Sequence, residues 1–199
     1  MEQILTGLGL SGSAGLNAYL PLLILGGLEY AEVVELAAPY DTLGSPIVLA
    51  ILTILLIIEM GADKVPALDS ANDVINTGIR PAAGALLFAA STGNVNNADP
   101  DIMTAASILS GIIAAGSVHA LKALIRPGVT VTTGGMGNMV VSVIEDVISL
   151  SISVMAIFLP LIILVFSTSF FIVLAWAMWD RKRTLHYFGK TPQELNFEY

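Results

Sequence analysis

The sequence predicts an all-α protein: a polytopic transmembrane helical bundle of about six spans with a short cytoplasmic C-terminal tail. Three observations predict it. Only 12% of the 199 residues are charged while 55% are hydrophobic, whereas soluble domains carry about 25% charge. Mean hydropathy is +0.82, and apolar runs recur near the 20-residue length that crosses a bilayer. Arg181, Lys182 and Arg183 follow the last run; basic residues stay on the cytoplasmic side, so this cluster places the C-terminus inside. No Ser/Pro-rich linker divides the chain. Residues 1–180 therefore read as one transmembrane helical domain and 181–199 as the tail.

The formal net charge is −8, unevenly spread. Acidic residues crowd 29–41, 59–73, 99–101 and 145–146; basic ones crowd 122–126 and 181–190. This is not a nucleic-acid footprint, and the expected partner is the lipid bilayer. There is no cysteine, which excludes disulfides and thiolate metal sites. The opening MEQILTGLGL has no Lys or Arg, so it lacks the basic start of a secretory signal and reads as a retained first span. The expected location is the plasma (inner) membrane, multi-pass, with both termini cytoplasmic.

Span one is expected over residues 4–28. Gly7, Ser11 and Gly15 recur there every four residues, a small-residue stripe suited to close helix packing. The competing reading is a helix unwound at residues 11–15, as in transporters; packing is preferred. Asn17, just beyond, reads as an interhelical hydrogen-bonding residue. Span two is expected over 46–61, with Pro46 at the first helical position, and span three over 66–90. Pro81 removes a backbone donor and frees the carbonyl of Thr77. Span four is expected over 102–124, with small residues at Gly111 and Ala115. Residues 127–138, PGVTVTTGGMGN, lack the lysine–serine pair of a phosphate-binding loop and read as a flexible loop. The apolar run 139–179 is roughly twice the bilayer thickness as a single helix. Pro160 is the break, giving span five at 138–158 and span six at 160–179, with Trp176 and Trp179 in the interfacial belt.

The polar residues inside this apolar frame are the candidate site. Asp69, Asp73, Asn76 and Arg80 fall at i, i+4, i+7 and i+11, one helical face. Glu59 and Asp63 end span two; His119, Lys122 and Arg126 end span four; Glu145 and Asp146 begin span five. The expected topology brings all of them to one depth. Isolated charges in hydrocarbon cost at least about 2.5 kcal/mol each, so they pair or meet water. Arg80 lies about 16 Å along the helix from Asp69. A guanidinium stays charged at any physiological pH, so it needs a carboxylate; Asp73 is the first choice and Asp146 the second. The segments Asp73-Val74-Ile75 and Asp146-Val147-Ile148 hint at an internal repeat.

Four stretches, GLGLSGSAGLNAYLPLL, ADKVPALDSANDVINTGIRPAAGALL, HALKALIRPG and GNMVVSVIEDVISL, resemble a family of bacterial integral membrane proteins, domain of unknown function 4126. The resemblance runs from about Gly7 to Pro160. Its most specific parts are Asp63-Lys64-Val65-Pro66 and Ile79-Arg80-Pro81. It implies a membrane protein and supplies no mechanism.

The leading functional expectation is a small transporter or channel for an ion or small solute. Its binding residues would come from Asn17, Glu59, Asp63, Asp69, Asp73, Arg80, His119, Lys122, Glu145 and Asp146. The carboxylate pairs Glu59/Asp63 and Asp69/Asp73, each at i, i+4, are suited to a cation or a shared proton; Arg80, Lys122 and His119 are suited to an anion. The bland alternative is that these charges are structural ion pairs. A second reading is a structural or assembly subunit, its small-residue faces packing a partner or a second copy in a homo-oligomer. A third is a lipid-acting enzyme with His119 as base, but G-x-S-x-G, H-E-x-x-H and aspartate-rich prenyl-phosphate boxes are missing. No enzymatic activity, cofactor, metal or catalytic residue is expected.

Overall fold

The computed structural model describes residues 1–64, 66–93, 100–160, 162, 165 and 168–176, with the backbone alone for 66–71 and Pro100. Among these residues there is no strand. The first compact unit, Met1–Ile163, holds helices α1 (Glu2–Ala14), α2 (Tyr19–Tyr30), α3 (Pro46–Ala62), α4 (Pro66–Thr92), α5 (Pro100–Thr133) and α6 (Met136–Phe158), with a 3-10 turn at Tyr40–Gly44 before α3. Three of the helices open on proline, whose missing N–H costs nothing in a first turn. At α3 the Ser45 hydroxyl also accepts from Val48 N at 3.3 Å, capping the helix.

The bundle is built around α1. Leu10 and Ala14 are fully buried, and α4, α5 and α6 pack on three sides of the helix. Pairings set the directions. Ser11 Oγ donates to the Gly84 carbonyl, and a Cβ on Gly7 would touch Phe88 at 3.2 Å, so α1 runs antiparallel to α4. Thr6 Oγ1 donates to the Ala156 carbonyl while Ser13 meets Ser149, so α1 is antiparallel to α6 as well. Where α4 and α5 cross, Gly84 and Gly111 put backbone against backbone: a Cβ on Gly84 would lie 2.6 Å from the Gly111 carbonyl oxygen, and one on Gly111 would collide with the Gly84 carbonyl. Only glycine permits that approach. The small residues of α1 and α5 are thus used inside the chain.

The surface carries large apolar side chains, and polar ones are buried beside the hydrophobic core. Ile47, Ile51, Ile54, Ile57 and Ile58 stand exposed on α3, and Val143, Ile144, Val147 and Ile148 on α6. Inside are Ser11, Ser13, Asn17, Asn76, Arg80, Ser142, Ser149 and Ser153. Two helices, Asp101–Thr133 within α5 and Met136–Phe158, are long and apolar enough to cross a membrane; α2 and α3 are shorter apolar helices.

Several expectations need correction. Residues 4–28 are not one span: the helix breaks between Ala14 and Tyr19 and α2 doubles back, so Leu25 and Thr6 line one cleft. The unwound alternative was right in kind and a few residues early in place. The backbone can break there because side chains from other helices take up its freed groups, as described below. Helix α5 does not stop near Leu124 but runs through Pro127 to Thr133. Thr130, Thr132 and Thr133 return their hydroxyls to the carbonyls of Arg126, Gly128 and Val129, back-bonding within the helix. Only Gly134 and Gly135, both at positive φ, form the turn into α6. The break before Pro160 is present: α6 ends at Phe158, with Leu159 out of helical conformation.

The second compact unit, Leu164–Tyr199, is described at residues 165 and 168–176. Residues 168–176 are helical, Ser169 Oγ donates to the Val165 carbonyl, and the Phe170 and Phe171 rings meet edge to face. Trp179, the basic cluster at Arg181 and the tail lie outside the described residues.

Candidate functional site

The break between α1 and α2 leaves backbone groups that no helix satisfies: carbonyls at the end of α1 and N–H groups at the start of α2. Charged side chains from the surrounding helices meet them. The Gly15 carbonyl accepts from Arg80 Nη1 at 3.5 Å and the Leu16 carbonyl from Lys122 Nζ at 3.4 Å. Across the gap, Ala18 N donates to Glu59 Oε2 at 3.2 Å, while Tyr19 N and Leu20 N donate to Asn17 Oδ1. Cations therefore stand at the negative end of α1 and a carboxylate at the positive end of α2, the arrangement the helix dipoles favour. Asn17, expected as an interhelical residue, also caps α2, and its Nδ2 donates to Asp146 Oδ1 at 2.9 Å.

Around this break lies a continuous ion-pair network. Arg80 is completely buried. Its Nη2 donates to Glu59 Oε1 at 3.1 Å and lies 3.8 Å from Asp63 Oδ2. Asp63 Oδ2 also takes Lys122 Nζ and Arg126 Nη2, both at 3.3 Å. Glu145 Oε2 receives the same two cations at 3.0 and 2.8 Å. Asp73 faces α5, 3.5 Å from Arg126 Nη1 and 4.0 Å from Lys122 Nζ. Breaking one such buried pair would leave its partner charged and unsolvated, at a cost of about 3–5 kcal/mol.

His119 has a definite protonation pattern. Arg80 Nη1, which can only donate, lies 3.1 Å from Nδ1, so Nδ1 is the bare acceptor. The proton is then on Nε2, which donates to Thr77 Oγ1 at 3.2 Å, and Thr77 donates onward to the Asp73 carbonyl. The imidazole is neutral and all its polar atoms are engaged.

Nine of the ten candidate residues thus meet in one place. The tenth, Asp69, is in the first turns of α4, with its side chain outside the described residues. The counter-ion of Arg80 is corrected. Glu59, not Asp73, is the nearest carboxylate; Asp73 lies 4.0 Å away, held by α5, and Asp146 is engaged by Asn17 and by Lys64 Nζ at 3.8 Å. The reason is the break itself: it brings the end of α3 beside the middle of α4. The Glu59/Asp63 pair is spanned by a guanidinium rather than left facing itself. Nor do the charges end α5 or begin α6. The helix continues about 10 Å beyond Arg126, and α6 begins about 14 Å before Glu145. Residues outside the ten also take part: Arg126, expected beside Lys122 at the end of span four; Lys64; Asn72, which donates to Asp63 at 2.6 Å; and the backbone at 15–18, next to the unwinding at 11–15 that the sequence offers as its second reading. Among the described residues no three carboxylates or imidazoles converge as metal ligands.

A comparison with known families decides the kinship. The chain matches the family described as domain of unknown function (DUF4126) over residues 4–181. It belongs to that family. No curated protein and no solved structure matches it. The segments carrying the charge network all lie within the matched range.

Proposed function

We propose that this protein is embedded in the plasma membrane and acts as a small transporter or channel, with the charge network at the α1–α2 break as its site for an ion or small solute. The observation that carries the reading is the broken helix whose two ends are met by fixed charges, inside a bundle with large apolar side chains on its surface. In a bilayer an interrupted helix is tolerated where protein or a polar cavity satisfies it, and transporters use such half-helix ends as ion and substrate sites.

The proposed topology follows from the basic residues. The end carrying Lys64, Lys122 and Arg126 faces the cytoplasm. Because α1 and α2 double back, we place the Glu2 end on the outer face, in place of the expected cytoplasmic N-terminus; residues 160–179 are apolar and long enough for one more crossing. Cysteines at Gln3 and Asn94 should then label from outside and one at Lys190 from inside. Labelling at Gln3 and Lys190 from the same side would reject this arrangement. For function, the purified chain in liposomes should pass one of a panel of small cations, anions or protons above empty vesicles. No flux with any of them would defeat the transport reading.

One observation favours a structural role instead: Arg80, Lys122 and Arg126 each have a carboxylate within 3.3 Å, as register-fixing ion pairs would. Replacing Arg80 by Met and Glu59 by Gln together separates the two. A folded double variant with unchanged flux supports the structural role; a folded and inactive one supports the site.

A further inference from the structure

One carboxylate of the network differs from the rest. Glu59, Asp63 and Glu145 each have a buried cation within 3.3 Å, and Asp73 has Arg126 at 3.5 Å. Asp146 has, among the described residues, only Lys64 at 3.8 Å, and the Lys64 side chain is 31% exposed. Asp146 Oδ1 accepts from Asn17, while Oδ2 is buried and, like Asp73 Oδ1, accepts no hydrogen bond. One turn before it on the same face, the buried Ser142 hydroxyl also has no partner. Buried polar atoms without a partner are costly, and this track holds two of them.

The track continues in the other direction. Ser149 and Ser153 follow Asp146 at i+3 and i+7, on the face that packs against α1. Ser13 Oγ lies 2.8 Å from the Ser149 carbonyl and 2.7 Å from both the Ser149 and Ser153 hydroxyls. Ser13 has one proton and three acceptors within reach, so these hydroxyls can exchange donor and acceptor roles without moving an atom heavier than hydrogen. A turn further on, Thr6 meets the Ala156 carbonyl at the floor of a cleft of about 360 Å³ whose rim includes Glu2 and Glu35.

We propose that the α1–α6 seam is a proton path, in which the Asp146 carboxyl takes up and releases the proton and the Ser13, Ser149 and Ser153 hydroxyls pass it to and from the acidic cleft at the Glu2 end. The transfer balances simply. Among Ser13, Ser149 and Ser153 each hydroxyl receives a proton on a lone pair and gives up its own on the far side, and a water molecule relays it between Ser149 and the Asp146 carboxyl and between this serine cluster and the cleft. Asp146 alternates between carboxylic acid and carboxylate, and no other bond changes. The titratable groups of the same network come from the neighbouring elements, Glu59 of α3 and Asp63 at its end among them. Lys64 comes from the α3–α4 turn, Lys122 and Arg126 from α5, Asp73 and Arg80 from α4, and Glu145 is adjacent on α6. Tyr19 is the titratable group of α2 at this end; α1 contributes only the uncharged Ser13, with Asn17 just beyond it. Lys64 is the cation nearest Asp146; its side chain is 31% exposed and its Nζ also donates to the Met60 carbonyl at 3.0 Å, so releasing it from Asp146 is the step the path requires. This inference rests on the transport reading and narrows it to protons.

The test uses the full chain in liposomes loaded with a pH-sensitive dye, under an imposed pH gradient with the membrane potential clamped. Wild type should acidify the lumen. Asp146→Asn, which keeps an acceptor for Asn17, should cut the rate roughly tenfold or more. The Ser149→Ala/Ser153→Ala pair should slow it severalfold, and the surface change Val140→Ala should leave it unchanged. Proton flux retained in folded Asp146→Asn overturns the path. Flux of another ion without protons overturns the path and leaves the transport reading standing. No flux of any probe overturns both. The infrared difference between wild type and Asp146→Asn gives a readout that needs no variant to be active: a protonated-carboxyl band present in wild type and missing from the variant is expected, and two identical carboxyl spectra overturn the assignment.

Discussion

Two stretches of similar length behave in opposite ways. Residues 4–28 are almost wholly apolar, carry no proline before Pro21, and yet break at 15–18. Helix α4 carries Arg80, two asparagines and an internal proline, and yet runs unbroken for 27 residues. Propensity alone predicts the reverse. The difference lies in the partners each backbone meets. At the break, Arg80, Lys122, Glu59 and Asn17 take up the freed carbonyls and N–H groups. In α4 only one carbonyl is freed by Pro81, while the helix on either side is clamped, by Glu59 and His119 at Arg80 and by Gly111 at Gly84. Helix continuity here is decided by tertiary partners.

The strongest way to break this comparison is to remove the residue that serves both stretches. Arg80→Met strands Glu59 and bares the Gly15 carbonyl. A loss of about 3–5 kcal/mol is expected, seen as loss of monodisperse protein in detergent. Adding Glu59→Gln should restore most of it, because no buried charge is then left unpaired. A stable Arg80→Met single variant would show that the break does not depend on its counter-charges.

Next comes the clamp on α4. Gly111→Val places a side chain against the Gly84 carbonyl, and a loss of at least about 1–3 kcal/mol is expected from overpacking, read as a lower thermal midpoint. The same change at Gly12, where a Cβ meets nothing within 4 Å, should cost no more than helix propensity. Equal effects at the two positions would mean that the α4–α5 crossing is not what clamps α4.

The third test acts on the break. Asn17→Ala removes the acceptor for Tyr19 N and Leu20 N and should cost about 0.5–2 kcal/mol, as caps do. It also leaves Asp146 without its hydrogen bond. If the thermal midpoint is unchanged, Glu59 alone supports the start of α2.

The contrast also explains what was legible in the sequence. Helices α3, α4 and α6 follow from apolar length and proline punctuation, and their predicted ends fall within about two residues of those observed. The charge network was legible as well, because burying ionisable groups on several spans forces them together whatever the loops do. The break was legible only as the less favoured alternative at 11–15, since its cause is spread over residues 59, 80 and 122, far from 15–18 in the chain. Once α1 is read as half a span, other errors follow from it. Glu59 rather than Asp73 reaches Arg80, and the start of α1 lies at the opposite end of the bundle from the network. The continuation of α5 past Pro127 was hidden for a different reason: its threonines read as loop formers but act by back-bonding. The Asp-Val-Ile echo has a physical meaning even without a repeat. Both aspartates point into the network, Val74, Ile75, Val147 and Ile148 are exposed, and α4 and α6 run the same way.

The smallest expected effect is the most informative about α4. In a free helix, proline costs about 3 kcal/mol relative to alanine, so Pro81→Ala should stabilise the protein by that amount if the proline is merely a defect. Gaining the full benefit requires the new N–H to reach the Thr77 carbonyl. The turn between them carries Thr77 and Arg80, and both are held: Thr77 by His119, Arg80 by Glu59 and His119. Closing the turn would pull these side chains off their partners. The Pro81 ring also lies over Gly116 on α5, a contact alanine gives up. The expected gain is therefore less than about 1 kcal/mol, a shift of only a few degrees in thermal midpoint. A gain near the free-helix value would mean that the turn is free to close, and that the grip of Glu59 and His119 on Arg80 is looser than the distances imply.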